Sequence, residues 1–362
     1  MASSNSSPSD PAARAPLVTT ALSSVDGTNA VLAYRGVPIE ELAGQGFAAV
    51  GAFLVDDRWP DDGGASFSSR LMRRQLTSHA TRAPTMTAAM ASLRRSLSDD
   101  AAIDAAADDD DVVAFAGAAA RLVGALRGRS GARADVVGSI LQGVSDRAVD
   151  DDDVAALDAA FVVHLDHALN PGTLCVRVAT STGATLASCL TAGLCALEGP
   201  LHGGASSNVG AALERVSSPA NVQAFVDAER AAKRRLPGFG HPIYRGRDPR
   251  SAILRALTQQ VADARDDHRI VDVAVALEAA VAAQSDGRLF ANVDFYAAAL
   301  YASLGIPLWL HTPMFAAARM LGWASHVVEE RARRKIISPE GGYDGPPPRS
   351  LHSVIAGPRA DR

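Results

Sequence analysis

From about residue 39 to residue 334 the apolar residues recur every three to four positions, the spacing that lines one face of an α-helix. The pattern predicts helices over about 64–78, 87–97, 132–145, 180–197, 205–216, 219–233, 249–264, 270–284, 292–303 and 313–334. Two more run through Val112–Leu126 and Val154–His167, and another opens at Pro38-Ile39-Glu40-Glu41. Proline followed by acids suits a first helical turn, whose free amides favour negative charge. The aspartate runs 108–111 and 150–153 precede helices, and are read as caps and solubilising charge rather than as metal or docking sites. Strand signal is confined to Leu17–Leu22 and Val31–Tyr34, on either side of an Asp26-Gly27 turn. Strands therefore do not alternate with helices, which argues against a doubly wound sheet and for an all-α fold. There is no internal repeat, no G-x-x-x-x-G-K and no G-x-G-x-x-G, and the segment GGYDGPPPRS near the C-terminus reads as irregular.

Composition sharpens this picture. With 362 residues, 48% of them hydrophobic, the chain can bury a large core. Aromatics make up only 5% while alanine is abundant, which favours closely approaching helices. The net charge of −5 carries no basic surplus, so neither nucleic acid nor an anionic membrane is an expected partner. The most apolar stretch, Leu289–Leu310, contains Asp294, Gly305 and Pro307 and reads as a buried helix followed by a break, not a membrane span. Cys175, Cys189 and Cys195 show no C-x-x-C spacing and read as reduced thiols of a cytoplasmic protein. The opening MASSNSSPSDPAARAP lacks a signal-peptide pattern and reads as a short disordered tail.

Chemistry concentrates where polar residues interrupt this background. In GPLHGGA (199–205) His202 precedes a helix, where the positive end of the dipole keeps an imidazole neutral. Such a ring either caps a turn or polarises a carbonyl oxygen by donating an N–H, a role that neutral imidazoles fill in enzymes. In LPGFGHPIYRGRDPR (236–250) two glycines bracket Phe239 and are followed by His241, Arg245, Arg247 and Arg250, an array suited to an anion. Asp294 is the only charge among the 22 residues of Leu289–Leu310; desolvation there raises a carboxyl pKa and makes a stronger base. Arg319 is the only charge between Met314 and Val328, and a buried guanidinium needs an anionic partner, from the protein or from a substrate. In HLDHALNPGT (164–173) His164 and His167 lack a third ligand at a helpful spacing, so no metal is expected.

Taken in order, SVDGTNAVLAYRGVPIEELA, HALNPGT, GPLHGGA, GFGHPIYRGRDPR, NVDFY and TPMFAAARMLGW resemble the citrate synthase family over most of the chain. The resemblance implies a two-domain helical fold and a homodimer or an assembly of dimers. After a tail over 1–23, a large domain would cover 24–200 and 291–362, and a smaller closing domain 201–290 with the CoA-binding loop. It implies catalytic roles for His202, His241 and Asp294, and binding of a 2-oxo acid by His167, Arg250 and Arg319. CoA contacts would come from Leu236, Gly238, Phe239 and Gly240, with Arg245 on a phosphate. Acetyl-CoA and CoA would be co-substrate and product, with no permanently bound cofactor and no metal. The implied reaction joins an acyl-CoA methyl carbon to the ketone of oxaloacetate or a related 2-oxo acid.

The chain also departs from the family pattern. Ser338-Pro339 stands where the family usually has an Arg-Pro step whose arginine binds the second carboxylate of oxaloacetate in the partner subunit. Ala168, Gly172 and Ser206 replace commoner residues, and Arg331, Arg333, Arg334 or Arg349 are candidates to compensate for Ser338. Three readings follow: citrate or 2-methylcitrate synthesis, a sibling condensation on another 2-oxo acid, and a non-catalytic regulatory paralogue, against which the intact His202, His241 and Asp294 argue.

Overall fold

The computed structural model describes residues 18–79, 85–99, 108–129, 131–339, 341–342 and 344–349. Three short strands, β1 (Ser23–Asp26), β2 (Val31–Tyr34) and β3 (Val37–Pro38), form an antiparallel meander in chain order. All other regular structure among the described residues is helical. The first group is α1 (Ile39–Leu42), α2 (Phe47–Asp56), α3 (Ala65–Met72), α4 (Met86–Asp99), α5 (Asp109–Ala125), α6 (Val136–Val144), α7 (Asp151–His164), α8 (Pro171–Ser181) and α9 (Leu186–Glu198). There follow α10 (Gly204–Val216), α11 (Val222–Ala231), α12 (Pro249–Arg265), α13 (Arg269–Gln284), α14 (Val293–Ser303) and α15 (His311–Arg333). The all-α expectation holds. No helix among the described residues is long and apolar enough to cross a membrane.

The core is organised around α15. Every residue from Leu310 to Val327 is buried, and the small Ala316, Ala317 and Ala318 let α5, α7, α8 and α9 pack around it. A second group sets α12 against α14 and α7, α10 against α14, and α11 against α13. The acidic runs act as caps. Asp108 accepts the amide of Asp111 at 2.8 Å, and Asp150 and Asp153 form a reciprocal capping box at the start of α7.

A buried polar chain fastens α15 to its neighbours. Arg177 of α8 is fully buried; its Nε donates to Glu330 at 2.7 Å and its Nη1 to Glu329 and to His326 Nδ1. A guanidinium only donates, so His326 accepts at Nδ1 and carries its proton on Nε2. That proton goes to Asp166, 3.1 Å away, which also accepts the Ser23 hydroxyl. One network thus ties β1, the loop after α7, α8 and α15 together.

Several boundaries differ from those expected. The strand expected over Leu17–Leu22 is displaced to Ser23–Asp26, where Ser23 faces Tyr34 in register. Residues 1–17 of the expected tail lie outside the described residues; from Val18 the chain is docked, with Val18 and Leu22 buried and Ala21 N–H donating to Glu329 at 2.7 Å. The helix expected through His167 stops at His164, because the Tyr34 hydroxyl donates to the Val162 carbonyl at 2.9 Å and accepts Asp166 N–H at 3.1 Å. The helix expected over 180–197 begins only at Leu186, as α9, and α8 before it is a helix that the periodicity does not predict. Asn170 caps α8 with Pro171 in its first turn, α8 ends at Ser181, and Thr185 caps α9 afresh. The helix expected over 64–78 ends at Met72, and 219–221 form a 3-10 turn before α11.

Tyr34 is fully buried and closes α7 through that hydroxyl. Replacing it by phenylalanine leaves the Asp166 amide without its partner, so Tyr34→Phe is expected to lower stability by about 1–3 kcal/mol. The check is the urea unfolding midpoint with its slope unchanged.

Candidate active site

The start of α14 and the glycine-rich loop before α12 are stitched together by backbone bonds. Gly240 N–H donates to Phe290, and Asn292 N–H to Gly238, each at 2.9 Å. Asn292 caps α14 by accepting Asp294 N–H at 3.0 Å, and its own amide donates to Gly240 at 2.9 Å. This brings His241 beside the first turn of α14. The loop leans on the β1–β2 turn, where Arg245 N–H donates to Gly27 at 2.9 Å. A Cβ on Gly27 would lie 2.3 Å from the Ile243 oxygen, so only glycine permits this approach.

His241 has a defined tautomer. The amides of Ile243 and Tyr244 both donate to its Nδ1, at 3.1 and 3.2 Å. The neutral ring therefore carries its proton on Nε2. Burial, followed by the field of Arg250, pushes its pKa down to about 4, so it is neutral at pH 7. An Nη2 of Arg250 lies 3.4 Å from that Nε2. Both atoms are donors, so the contact is not a hydrogen bond; it is a pair of donors side by side that a single oxygen acceptor would bridge.

Arg250 is buried and held by Asp248, whose carboxylate accepts from its Nε at 2.9 Å and its Nη2 at 2.8 Å. Burial works against the guanidinium charge, but Asp248 outweighs it and holds the Arg250 pKa above its usual value. Asp248 also accepts Val293 N–H at 3.0 Å, which fixes Arg250 to α14.

Asp294 sits one residue into α14, partly accessible, and no described residue donates a hydrogen bond to its carboxylate. Burial pushes its pKa up to about 6; Arg250 and Arg319 oppose the rise and Asp248 adds to it. Arg319 is buried on α15, with its Nε donating to the His164 carbonyl at 2.6 Å. It forms no ion pair with a described carboxylate, and its Nη2 is buried with no acceptor. Burial pulls its pKa below the usual value while Asp166 supports the charge from a distance. Two further buried polar atoms nearby also lack partners, His164 Nε2 and the Tyr301 hydroxyl; their rings lie 6.4 Å apart, and Tyr301 feels the Asp294 charge.

His167 is buried with its ring 5.5 Å from that of His241, and its Nε2 lies 3.1 Å from the Tyr244 hydroxyl. Burial first, then Arg250 and Arg319, hold its pKa well below the usual value. His202 lies on the turn before α10, near enough to Arg319 for that charge to add to the lowering by burial. Its Nδ1 faces the Ala196 carbonyl at 3.1 Å. A carbonyl only accepts, so the neutral ring has its proton on Nδ1 and presents a lone pair on Nε2. The turn is joined to α15 by the Thr312 hydroxyl, which donates to Gly203 at 2.7 Å.

Leu236, Phe239, Gly240 and His241 line a cavity of about 660 Å³ whose other wall carries Arg230, Arg234 and Arg235. Gly238 is not on this wall; it packs against Val209 and Phe295. Arg245 lines a smaller adjoining cavity of about 160 Å³. The structure thus sets His241, His167, Arg250, Arg319 and Asp294 close enough for their charges to act on one another, and places the apolar loop residues and His241 on the edge of the larger cavity.

A family model described as citrate synthase, C-terminal domain, matches residues 13–340. The chain belongs to the citrate synthase family. It is 32% identical to the citrate synthase of Synechocystis sp. over 358 residues, covering 91% of this chain and 89% of that protein. It is 36% identical to a 2-methylcitrate synthase of Shewanella oneidensis over 195 residues, 54% of this chain and 52% of that protein, so this match spans about half the length of that relative. The crystal structure of citrate synthase from Thermotoga maritima superposes with a TM-score of 0.78 at 27% identity, covering 96% of this chain and 98% of that one.

For this citrate synthase family member, three features of the candidate site and the larger cavity beside it lie beyond what the sequence predicts. Asp248 does more than open a helix: the Asp-Pro-Arg spacing puts its carboxylate within reach of Arg250. The signal for Tyr244 is its place three residues after His241. Arg230, Arg234 and Arg235 lie in a basic stretch that the apolar motif beside it overshadows.

The buried histidines set an acid limit on stability. Burial pushes His164 down to about 3 and His241 and His311 each to about 4, against about 6.5 for an unfolded histidine. Below that higher value the unfolded chain binds protons that the native rings refuse, so these rings make stability fall as pH drops from about 6.5 to 4. Nitrogen NMR should show His241 as the Nε2–H tautomer, not titrating between about pH 5.5 and 8; an Nδ1–H form would refute the assignment.

Proposed function

We propose that the chain condenses a short acyl-CoA, acetyl-CoA first among them, with oxaloacetate or a related 2-oxo acid, and releases CoA. The observation that carries this reading is a buried Arg319 Nη2 with no acceptor among the described residues, near enough to Asp294, an unbonded carboxylate of raised pKa, for its charge to act there. A buried guanidinium is costly without an anion, and an incoming 2-oxo acid carboxylate supplies one. Arg250 is already half neutralised by Asp248, so it orients the acid with its remaining donors. His241 Nε2–H and the adjacent Arg250 Nη2 converge where a ketone oxygen would accept from both.

In this reading Asp294 removes a proton from the thioester's methyl group, and the enol-like carbon attacks the ketone carbon. His241 polarises the ketone oxygen as it gains charge, which is the kind of stabilisation that grows towards the transition state. Water then cleaves the thioester and CoA leaves. His202 would stabilise the thioester oxygen. As placed, its single proton is directed at Ala196, so donation requires the ring to turn when the site closes. Closure would come from the smaller domain over 201–290 moving against 24–200 and 291–362. CoA would lie along Leu236, Phe239 and Gly240, with Gly238 behind that wall shaping the loop; the cavity wall supports Arg230, Arg234 and Arg235 as phosphate partners alongside Arg245.

A homodimer belongs to the same proposal. The α8–α9 hairpin exposes Cys175, Val178, Ser188 and Cys195, while Arg177, the only charge between residues 171 and 197, points inward. Three free thiols fit a reducing cytoplasm. Ser338 favours a second reading within the same chemistry: it is exposed and neutral where the family usually has an arginine for a second carboxylate, so a 2-oxo acid without that group is the alternative substrate.

The test is thiol release from acetyl-CoA with a panel of 2-oxo acids. Oxaloacetate turnover at ordinary enzymic rates supports the first reading, turnover only with another acid supports the second, and no release with any acid rejects both. Asp294→Asn should lower kcat by at least about 100-fold, the usual range for losing a positioned base, with the fold unchanged by circular dichroism. Because the base must be ionised, kcat/KM should fall below about pH 6 with unit slope, instead of near the usual carboxylate value of about 4. Ser338→Arg should lower the KM for oxaloacetate and leave that for a monocarboxylic 2-oxo acid unchanged; equal effects on both would remove Ser338 from the argument.

A further inference from the structure

A second cationic cavity lies at the opposite end of α14 from Asp294. It has a volume of about 430 Å³, within the range of small-molecule sites. Arg147, Arg265 and Arg269 stand on its walls with Ser303, and Asp267 is the only carboxylate among its lining residues. Ser303 follows Asp294 by nine residues along α14, so the cavity is about 14 Å from the candidate base. Its walls come from the loop before α7 and the end of α14 on one side, and from the α12–α13 corner on the other.

One of these arginines, Arg147, is not fully satisfied by the protein. Arg147 Nη2 donates to Asp153 at 3.1 Å, but its Nε and Nη1 are buried without an acceptor, as is the Ser303 hydroxyl. Asp153 is shared, because Arg265 also donates to it, with Nε at 3.0 Å. Burial already raises the Asp153 pKa, so one desolvated carboxylate serves two guanidiniums. Asp150, the other partner of Arg265, is 59% exposed. Arg269 is 82% exposed at the opening, where it forms a two-pronged pair with Asp267, its Nε donating at 2.8 Å and its Nη2 at 2.7 Å.

We propose that this cavity binds a small phosphate or phosphate ester, separate from the catalytic pocket. A carboxylate uses one arginine fork, whereas a phosphate offers oxygens in several directions and suits donors arriving from different walls. A hydroxyl beside the guanidiniums adds one more donor. Bound there, the anion draws on Arg265, which otherwise bonds across to Asp150 and Asp153, and so links α12 to the start of α7 through ligand as well as protein. That link lies on the boundary proposed between the closing and large domains, which makes the site a place where an anion could bias closure. Binding itself does not rest on the catalytic proposal.

The experiment is calorimetric titration of the full chain with inorganic phosphate, pyrophosphate and AMP, with adenosine as control. One saturable site is expected for at least one phosphate compound and none for adenosine; AMP alone binding identifies an ester, all three identify the phosphate group itself. Arg269→Gln, at an exposed position, and Arg147→Gln, checked for fold by circular dichroism, should each weaken binding at least tenfold. Arg235→Gln, on the larger cavity, should leave it unchanged. The proposal is overturned if none of the three compounds binds the parent chain, if binding survives both Arg147→Gln and Arg269→Gln, or if Arg235→Gln abolishes it.

Discussion

A guanidinium with no protein counter-ion, set in the middle of a buried helix, is the constraint around which this molecule is arranged. Arg319 has one backbone acceptor and an Nη2 with none, in surroundings where an isolated charge is costly. Its position is rigid because α15 is fastened by the Arg177–His326–Asp166 network and buried from Leu310 to Val327. Asp166 supplies a negative charge at a distance without occupying the fork. The surrounding imidazoles respond to burial and to positive field by staying neutral. The nearby Asp294 responds to burial in the opposite sense and holds its proton more tightly than an exposed aspartate does. Charge, base and neutral donors are therefore set by one environment.

The two arginines of the pocket solve the burial problem differently. Arg250 arrives paired with Asp248, which raises its pKa and ties it to the first turn of α14. Arg319 arrives unpaired. A ligand bearing one negative group would find a single strong deficit and a neighbouring cation whose deficit is partly filled. This asymmetry gives the pocket a preferred end, and with it an orientation for what enters.

Much of this is legible in the sequence because isolated charge in apolar surroundings is a local property. Asp294 and Arg319 stand out by the absence of other charges around them, and His241 by the glycines in front of it. The acidic runs can be assigned as caps because capping depends on three or four consecutive residues. What is not legible depends on distant partners. The end of α7 is set by a tyrosine on β2; α8 and the start of α9, by contrast, are missed although Asn170-Pro171 and Thr185 mark both locally. Ring tautomers are likewise out of reach: that of His241 follows from two loop amides, whereas His202 directs its proton at the carbonyl of Ala196.

The contact between Gly27 and Ile243 reaches beyond local geometry. The hairpin over residues 23–34 presses on the loop that orients His241, across more than two hundred positions of sequence. The N-terminal meander thus acts as a buttress for a distant loop of the candidate site. Fragments excised to begin at α1 would keep every polar group of the pocket yet lose the wall that sets one of them, and a chimera that exchanges the hairpin without the loop would bring two unmatched surfaces together.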